Sequence, residues 1–118
     1  MLVVEDDPQV RRAITRWLAL AGFEPIPVAD AIEAVGLLSA TDDVVCVVSD
    51  LTMPRLDGDA LRAKLAEVRA GTPLVLISGD RAPSTPPADG VRFVAKPLTR
   101  DALIEAIAAV TTASIRAA

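Results

Sequence analysis

The sequence is poor in aromatic residues and contains no histidine at all. Only 3% of its 118 residues are aromatic, so stacking on nucleic acid bases is not expected. Without histidine the chain offers no imidazole for catalysis and cannot form a phosphohistidine of its own. The formal net charge is −4 and the basic residues form no cluster, which argues against nucleic acid or a membrane surface as a direct partner.

Cysteine and long apolar runs are equally scarce. Cys46 is the single cysteine, so no internal disulfide can form, and its place in an apolar strand predicts a buried, unreactive thiol. No apolar run approaches the roughly 20 residues that span a bilayer. The amino terminus lacks the basic region and apolar stretch of a signal peptide. We therefore expect a cytoplasmic protein.

Short apolar runs alternate with helical patterns along the whole chain. Strands this apolar, each separated by a helix, predict an α/β fold with a parallel sheet that is covered on both faces. Pro25 and Pro27 place the second strand at an edge of this sheet. We expect one domain over residues 1–113 and a frayed tail over 114–118. The predicted strands are residues 2–5, 25–28, 44–49, 74–77 and 91–95, and the predicted helices are 8–21, 30–38, 57–71 and 99–112.

The segment 79–90 departs from this alternation. It carries Pro83, Pro86 and Pro87 at the place where a fourth helix is due. Each proline costs a helix interior about 3 kcal/mol. The fourth helix is therefore predicted to be shortened or missing.

Chemically useful residues follow four of the predicted strands. Asp50 ends the central strand, Glu5 and Asp6 follow the first strand, Ser78 the fourth and Lys96 the fifth. The carboxyl ends of parallel strands meet at one edge of a sheet, which is where ligands bind in open α/β folds. We expect these carboxylates, the hydroxyl and the lysine to gather there as a phosphoryl-handling site.

Carboxylates that crowd together repel one another, and a hard divalent cation relieves that repulsion. Mg²⁺ prefers oxygen ligands, and the chain offers Asp50 with two of the three acids Glu5, Asp6 and Asp7. Asp7 precedes Pro8 in the pattern of a helix N-cap, so its carboxylate is expected to accept from helix amides. That leaves Glu5 and Asp6 for the metal.

Phosphoryl transfer depends on positioning and on neutralising charge over three equatorial oxygens. Lys96 offers a compact cation for one of these oxygens, and Ser78 offers a hydroxyl donor for another. Asp57 and Gly58 are interpreted as structural, an N-cap and a permissive backbone position.

These motifs resemble the receiver domain of two-component response regulators over residues 2–110. The acid pair, the Asp-x-x-Met-Pro-x-x-Asp-Gly motif that starts at Asp50, Ser78 and the Lys96–Pro97 pair occur in the order and spacing of that family. The resemblance implies a flavodoxin-like, doubly wound five-stranded parallel sheet with strand order 2-1-3-4-5. It also implies that a partner's phosphohistidine phosphorylates Asp50.

The resemblance further implies the ligand set and the partners. Glu5, Asp6, Asp50 and the backbone carbonyl of Thr52 would hold Mg²⁺, and the Lys96–Pro97 bond would be cis. The partner would be a histidine kinase or a histidine-phosphotransfer protein. The unusual 79–90 segment looks like that of receivers attached to hybrid sensor histidine kinases, so kinase domains of the same parent chain are included. We hypothesise that partners dock near the first helix or the Asp50 loops. The domain would assist its own phosphorylation and dephosphorylation without being an enzyme.

Three other interpretations are open. Haloacid-dehalogenase-like phosphatases also use an aspartate after a buried strand, but they need a second Asp two residues later, where this chain has Thr52. Nucleotide or flavin binding is disfavoured because no glycine-rich loop follows the first strand. A degenerate receiver that acts as a phosphorylation-independent binding module is the third, and the intact set of site residues counts against it.

Overall fold

The computed structural model describes residues 1–40, 44–50, 63, 72–78, 90–96 and 98–117. Strands and helices alternate from residue 2 to residue 50 as the apolar pattern predicts, and a further helix follows the fifth strand. The strands are β1 (Leu2–Val4), β2 (Ile26–Val28), β3 (Val47–Asp50), β4 (Leu74–Ser78) and β5 (Val91–Ala95), and the helices are α1 (Pro8–Leu20), α2 (Ala31–Ala40) and α3 (Arg100–Ala117).

The five strands form one parallel sheet in the order β2-β1-β3-β4-β5, so the predicted fold class and strand order are confirmed. Val4 pairs with Ser49, Asp50 with Ile77 and Ser78 with Ala95. These pairs bring the carboxyl ends of β1, β3, β4 and β5 to the same edge.

A hydrophobic core lies on each face of the sheet. Side chains alternate along β1, so Leu2 and Val4 contribute to one core and Val3 to the other. Helix α2 packs through Ala34 and Leu38 on the first face. Helices α1 and α3 cover the second face, as predicted for a sheet buried on both sides, with the side chains of Ile14, Leu18, Leu103, Ile107 and Val110.

Cys46 belongs to the core on the α1 and α3 face and is 0% exposed. Burial raises the pKa of its thiol to about 12. Because the thiolate is the reactive form, the prediction of a buried, inert cysteine agrees with this environment.

Helix α1 begins at the predicted residue, Pro8, and ends at Leu20, one residue before the predicted end. The Asp7 carboxylate accepts from the backbone N–H of Gln9 at 2.9 Å, and Pro8 occupies the first turn. At the other end Gly22 has φ +95°, a left-handed conformation that suits glycine at a helix end. The N-cap prediction for Asp7 is therefore confirmed.

The two other helices are capped by side chains as well. The Asp30 carboxylate accepts from the backbone N–H of Glu33 at 2.8 Å, at the start of α2. The Thr99 hydroxyl oxygen accepts from the backbone N–H of Ala102 at 3.2 Å, at the start of α3. Asp30 and Thr99 are the first residues of the predicted helical ranges 30–38 and 99–112, and side chains of this kind commonly cap helix starts.

Some boundaries differ from those predicted. Strand β3 begins at Val47 rather than residue 44, because Leu2 and Leu74, the first residues of its two neighbours, both pair with Val47. Helix α3 continues to Ala117, past the domain boundary placed at residue 113, which stays a prediction.

Several predicted features lie outside the described residues. These are most of the third helix, of which the structure describes only Ala63, in a helix, together with the segment 79–89, Thr52 and Pro97. The shortened fourth helix and the cis bond therefore stay predictions.

Strand β2 forms one edge of the sheet, as its prolines predict. The backbone N–H of Ile26 donates to the Met1 carbonyl at 2.8 Å, and Pro27 pairs with Val3 in the ladder. Successive backbone groups point to opposite sides of a strand, so the Pro27 nitrogen faces away from β1 and no ladder bond is lost.

Candidate functional site

The strand ends deliver three charged residues to one place. Asp50 is the last residue of β3, Glu5 directly follows β1 and Lys96 directly follows β5. Asp50 is only 6% exposed and Glu5 only 2%, so both carboxyl groups are nearly removed from water. A buried charge is costly unless it is paired, and the neighbours of these two groups therefore decide what the site can do.

Three carboxylates form an acidic cluster at this edge. Glu5, Asp6 and Asp50 each place one carboxylate oxygen so that all three atoms lie within 4.8 Å of one another. Asp6 is exposed, whereas the other two are buried. Like charges at this separation oppose each other's ionisation, so the cluster favours either a proton or a cation.

Glu5 is held at several atoms. Its Oε1 accepts from the backbone N–H of Asp7 at 3.1 Å, and its own backbone N–H donates to the Val28 carbonyl at 3.2 Å. Its carbonyl accepts from Nη1 of Arg11 at 2.8 Å. Its Oε2 is buried and has no hydrogen-bond partner within the part of the chain that the structure describes.

Burial raises the pKa of Glu5 from its ordinary value of 4.5 to about 7, and the charge of Asp50 adds to this rise. The Asp7 amide opposes it only in part. Near neutral pH, the Glu5 carboxyl group is therefore present in both its protonated and its ionised form. A cation can take the place of the proton, because the carboxylate is already held in position.

Lys96 provides the positive charge opposite this cluster. Its Nζ lies 3.1 Å from Oδ2 of Asp50, as a hydrogen-bonded ion pair. The Lys96 side chain is 43% exposed and the hydrogen bond to Asp50 raises its pKa, so the ammonium group stays charged. It can exchange its partner for another anion that approaches from solvent.

Comparison with known proteins identifies the family. The sequence model of one protein family, the response regulator receiver domain, matches residues 1–108. The chain belongs to this family. Receiver-domain membership confirms the resemblance that the sequence motifs carry.

Individual relatives agree with this assignment. The chain is 37% identical over 109 residues to the C4-dicarboxylate transport transcriptional regulatory protein DctD of Rhizobium meliloti, which covers 89% of this chain and 24% of that protein. It therefore spans about a quarter of the length of this curated relative.

Solved structures match over nearly the whole chain. The receiver domain from the hybrid histidine kinase CckA is 30% identical, with a TM-score of 0.77 over 91% of this chain and 94% of that one. A response regulator receiver protein from Sinorhizobium medicae, at 24% identity, shares the fold with a TM-score of 0.84 over 96% of this chain and 94% of that one.

The acidic cluster of this receiver domain suits Mg²⁺. A hard divalent cation takes oxygen ligands, and Glu5, Asp6 and Asp50 offer three carboxylates at one point. The unpartnered, buried Oε2 of Glu5 is the observation that tests the fit, because such an atom is costly unless a cation or proton satisfies it. The residues present therefore fit the metal that the sequence predicts, and Asp7 serves the helix as expected.

One predicted site residue is placed only in part, and another lies outside the described residues. Ser78 ends β4 and pairs with Ala95, which puts its backbone at the same sheet edge. Its side chain lies outside the described part of the structure, as does Thr52. The roles of both residues stay predictions.

Arg11 also contacts the site, although no sequence motif indicates it. Its guanidinium group contacts the carbonyl of Glu5, which is a predicted metal ligand. The signal that could have revealed it is a long cationic side chain one turn into a helix that starts directly after an acidic turn. A contact to a backbone atom leaves no motif of its own, so the pattern of acids alone did not indicate it.

An open groove runs beside Lys96 between α1 and the chain that enters α3. Its volume is about 350 Å³, and Trp17, the single tryptophan, contributes to its wall. The lining residues are Gln9, Val10, Ala13, Ile14, Trp17, Ile77, Lys96 and Leu98.

Among the described helices of the receiver domain, none is long and apolar enough to cross a membrane.

Proposed function

We propose that this receiver domain is a phosphoacceptor of a two-component phosphorelay, in which Asp50 takes a phosphoryl group from a partner's phosphohistidine. One observation carries the proposal. The buried Asp50 carboxylate has the Lys96 ammonium group 3.1 Å from its Oδ2, and carboxylate oxygens of Glu5 and Asp6 lie within 4.8 Å of one of its own. A nucleophilic carboxylate, a cation and metal ligands thus meet at one point.

The transfer step follows from these groups. An oxygen of Asp50 forms a bond to phosphorus while the phosphorus–nitrogen bond of the phosphohistidine breaks, and the imidazole nitrogen keeps the bonding electron pair. Lys96 then donates to a phosphoryl oxygen instead of to the carboxylate, which offsets the negative charge of the transferred group. Ser78 is proposed to donate a hydroxyl hydrogen bond to a second oxygen.

Mg²⁺ completes the site in this proposal. Glu5, Asp6 and Asp50, with the Thr52 carbonyl, would hold it. When bound, it supplies positive charge that offsets the three carboxylates and the incoming phosphoryl oxygens. The fold itself holds the Glu5 and Asp50 carboxylates in position and shields them from water before the partner binds.

Phosphorylation is proposed to act through a shift between two arrangements of the domain. The Lys96–Asp50 ion pair is one contact that differs between them, because the phosphoryl group competes for the same ammonium group. A change from 1:10 to 10:1 in the two populations requires a hundredfold difference in affinity, which is about 3 kcal/mol. The domain itself turns over no separate substrate and changes its partner binding instead.

The proposed partner is a histidine kinase or a histidine-phosphotransfer protein, including kinase domains of the same parent chain. The groove along α1 supports an approach from this side, because most of its lining side chains are apolar and Lys96 is one of its lining residues. Direct contact of this domain with nucleic acid or membrane is not part of the proposal, since the chain is acidic overall.

Intact mass after incubation with acetyl phosphate and Mg²⁺ tests the function. We expect a single phosphoryl adduct in the parent protein and none in Asp50→Asn or in a sample with EDTA. Asp101→Asn, at an exposed position on α3, is the matched control and should keep the adduct. A folded parent protein that forms no adduct would instead favour the phosphorylation-independent binding module.

A further inference from the structure

We propose that Arg11 is a positioning residue for the metal site, because it fixes the backbone from which Glu5 and Asp6 project. The inference rests on the proposed function and assigns a task within that site. Its basis is the hydrogen bond of 2.8 Å from Nη1 of Arg11 to the Glu5 carbonyl oxygen.

The Glu5 carbonyl lies where the sheet no longer holds the chain. The pairing of β1 with both of its neighbours ends at Val4, so the ladder register stops one residue before Glu5. The Glu5 N–H still reaches Val28, but its carbonyl is bound by Arg11. Arg11 is itself anchored in the first turn of α1, since its backbone N–H donates to the Asp7 carbonyl at 2.9 Å.

Orientation of this carbonyl also orients Asp6. The peptide unit between Glu5 and Asp6 is planar, so the direction of the Glu5 oxygen determines the direction of the Asp6 nitrogen and the position of its Cα. Asp6 is exposed and is not confined by packing. The Arg11 contact thus limits where the Asp6 carboxylate can point, and it does so before a cation arrives.

Charge alone does not account for Arg11 at this position. A guanidinium group near a predicted Mg²⁺ site repels the ion, so on electrostatic grounds its removal would tighten metal binding. Arg12 and Arg16 on the same helix are exposed, whereas Arg11 is half-buried with its group turned to the acidic turn. A positioning role explains why the Arg11 guanidinium group lies next to the acidic cluster.

The test compares the parent domain with Arg11→Ala, Arg11→Lys and Arg12→Ala. The Kd for Mg²⁺ is measured by isothermal titration calorimetry, and backbone amide shifts of Asp6 and Asp7 are recorded in EDTA. Loss of a group that orients a metal ligand typically costs 10- to 100-fold in metal affinity, and a backbone contact belongs at the low end, so we expect about tenfold weaker binding in Arg11→Ala. Arg12→Ala removes the same charge from an exposed neighbour and should stay within about twofold.

The outcomes separate the inference from the proposed function. Altered amide shifts together with weaker Mg²⁺ binding in Arg11→Ala alone support the positioning task, and Arg11→Lys should recover part of the affinity because it keeps a donor on a long stem. Equal or tighter binding in Arg11→Ala overturns the inference while the phosphoacceptor proposal stands. A parent domain that binds no Mg²⁺ overturns both. If Arg11→Ala does not fold, Arg11→Met, which keeps the apolar stem but has no donor, takes its place, and unchanged affinity and shifts in that variant overturn the inference.

Discussion

The raised pKa of Glu5 predicts how the metal-free domain responds to pH. Burial favours the protonated form of Glu5 in the folded state and has no such effect in the unfolded chain. The folded pKa of about 7 thus lies above the ordinary value of 4.5. The stability that Glu5 provides by holding its proton is fully present below pH 4.5 and is lost as the pH rises through 7.

The size of the effect follows from the two pKa values. The difference between 4.5 and about 7 corresponds to about 3 kcal/mol at roughly 1.4 kcal/mol per pKa unit. Glu5 is only 2% exposed, but solvent reaches the neighbouring Asp6 and screens the site, so this figure is an upper bound. In EDTA, we expect Glu5 alone to lower the free energy of unfolding by up to about 3 kcal/mol between pH 4 and pH 8.

Glu5→Gln isolates this contribution. Glutamine resembles the protonated acid, so the variant should match the parent near pH 4 and exceed its stability by about 2–3 kcal/mol near pH 8. Glu105→Gln, at an exposed position on α3, is the control for the loss of one negative charge. The free energy of unfolding of Glu105→Gln should stay close to that of the parent at both pH values.

Urea unfolding at a series of pH values, followed by the fluorescence of Trp17, measures the effect. With Mg²⁺ at 100 times its Kd the parent should gain about 2.7 kcal/mol, and Glu5→Gln should gain less because one ligand has lost its charge. Parallel pH profiles for parent and Glu5→Gln would show that the Glu5 carboxyl group is not desolvated, and the reasoning would be refuted.

Three further predictions concern the scaffold. Gly36→Ala should raise the free energy of unfolding by about 0.5–1 kcal/mol, because Gly36 lies within α2 and, apart from the adjoining helix backbone, a Cβ there meets no atom of the described residues within 4 Å. Gly22→Ala should lower the free energy of unfolding, because Gly22 has φ +95°. If urea unfolding finds Gly22→Ala more stable than Gly36→Ala, this explanation of the two glycines is wrong. Asp7→Ala should cost about 1 kcal/mol through loss of the α1 cap, whereas Asp7→Asn should retain most of the stability; equal losses in thermal unfolding would count against the cap. Cys46, with a pKa of about 12, should react with a disulfide reagent at pH 8 only when urea unfolds the domain, and rapid labelling of the folded protein would disprove its burial.

The arrangement of the strand ends could be predicted because it depends on local patterns and one geometric rule. Apolar runs that end in Asp50, or directly before Glu5 and Lys96, indicate parallel strands whose carboxyl ends share an edge. The structure brings these three residues together as expected. Residue type and position along the chain were sufficient for this part of the site.

The electrostatic state of the site could not be predicted in the same way. The burial of Glu5 and its unpartnered oxygen depend on how the turn after β1 packs against Val28 and α1, which no run of residues specifies. The Arg11 contact is made to a backbone atom, and any residue at position 5 would present the same carbonyl. Such features depend on distances in the folded chain rather than on residue patterns.

Pro27 has a consequence for association between copies of the domain. Within β2, the Ile26 N–H is directed to Met1, and alternation directs that of Val28 to the same side. The third residue, Pro27, has no N–H, so the outer edge of this strand offers no backbone donor to a further strand. Addition of a further strand at β2 is therefore disfavoured at the level of the backbone, so copies of the domain can be concentrated without extending the sheet on that side.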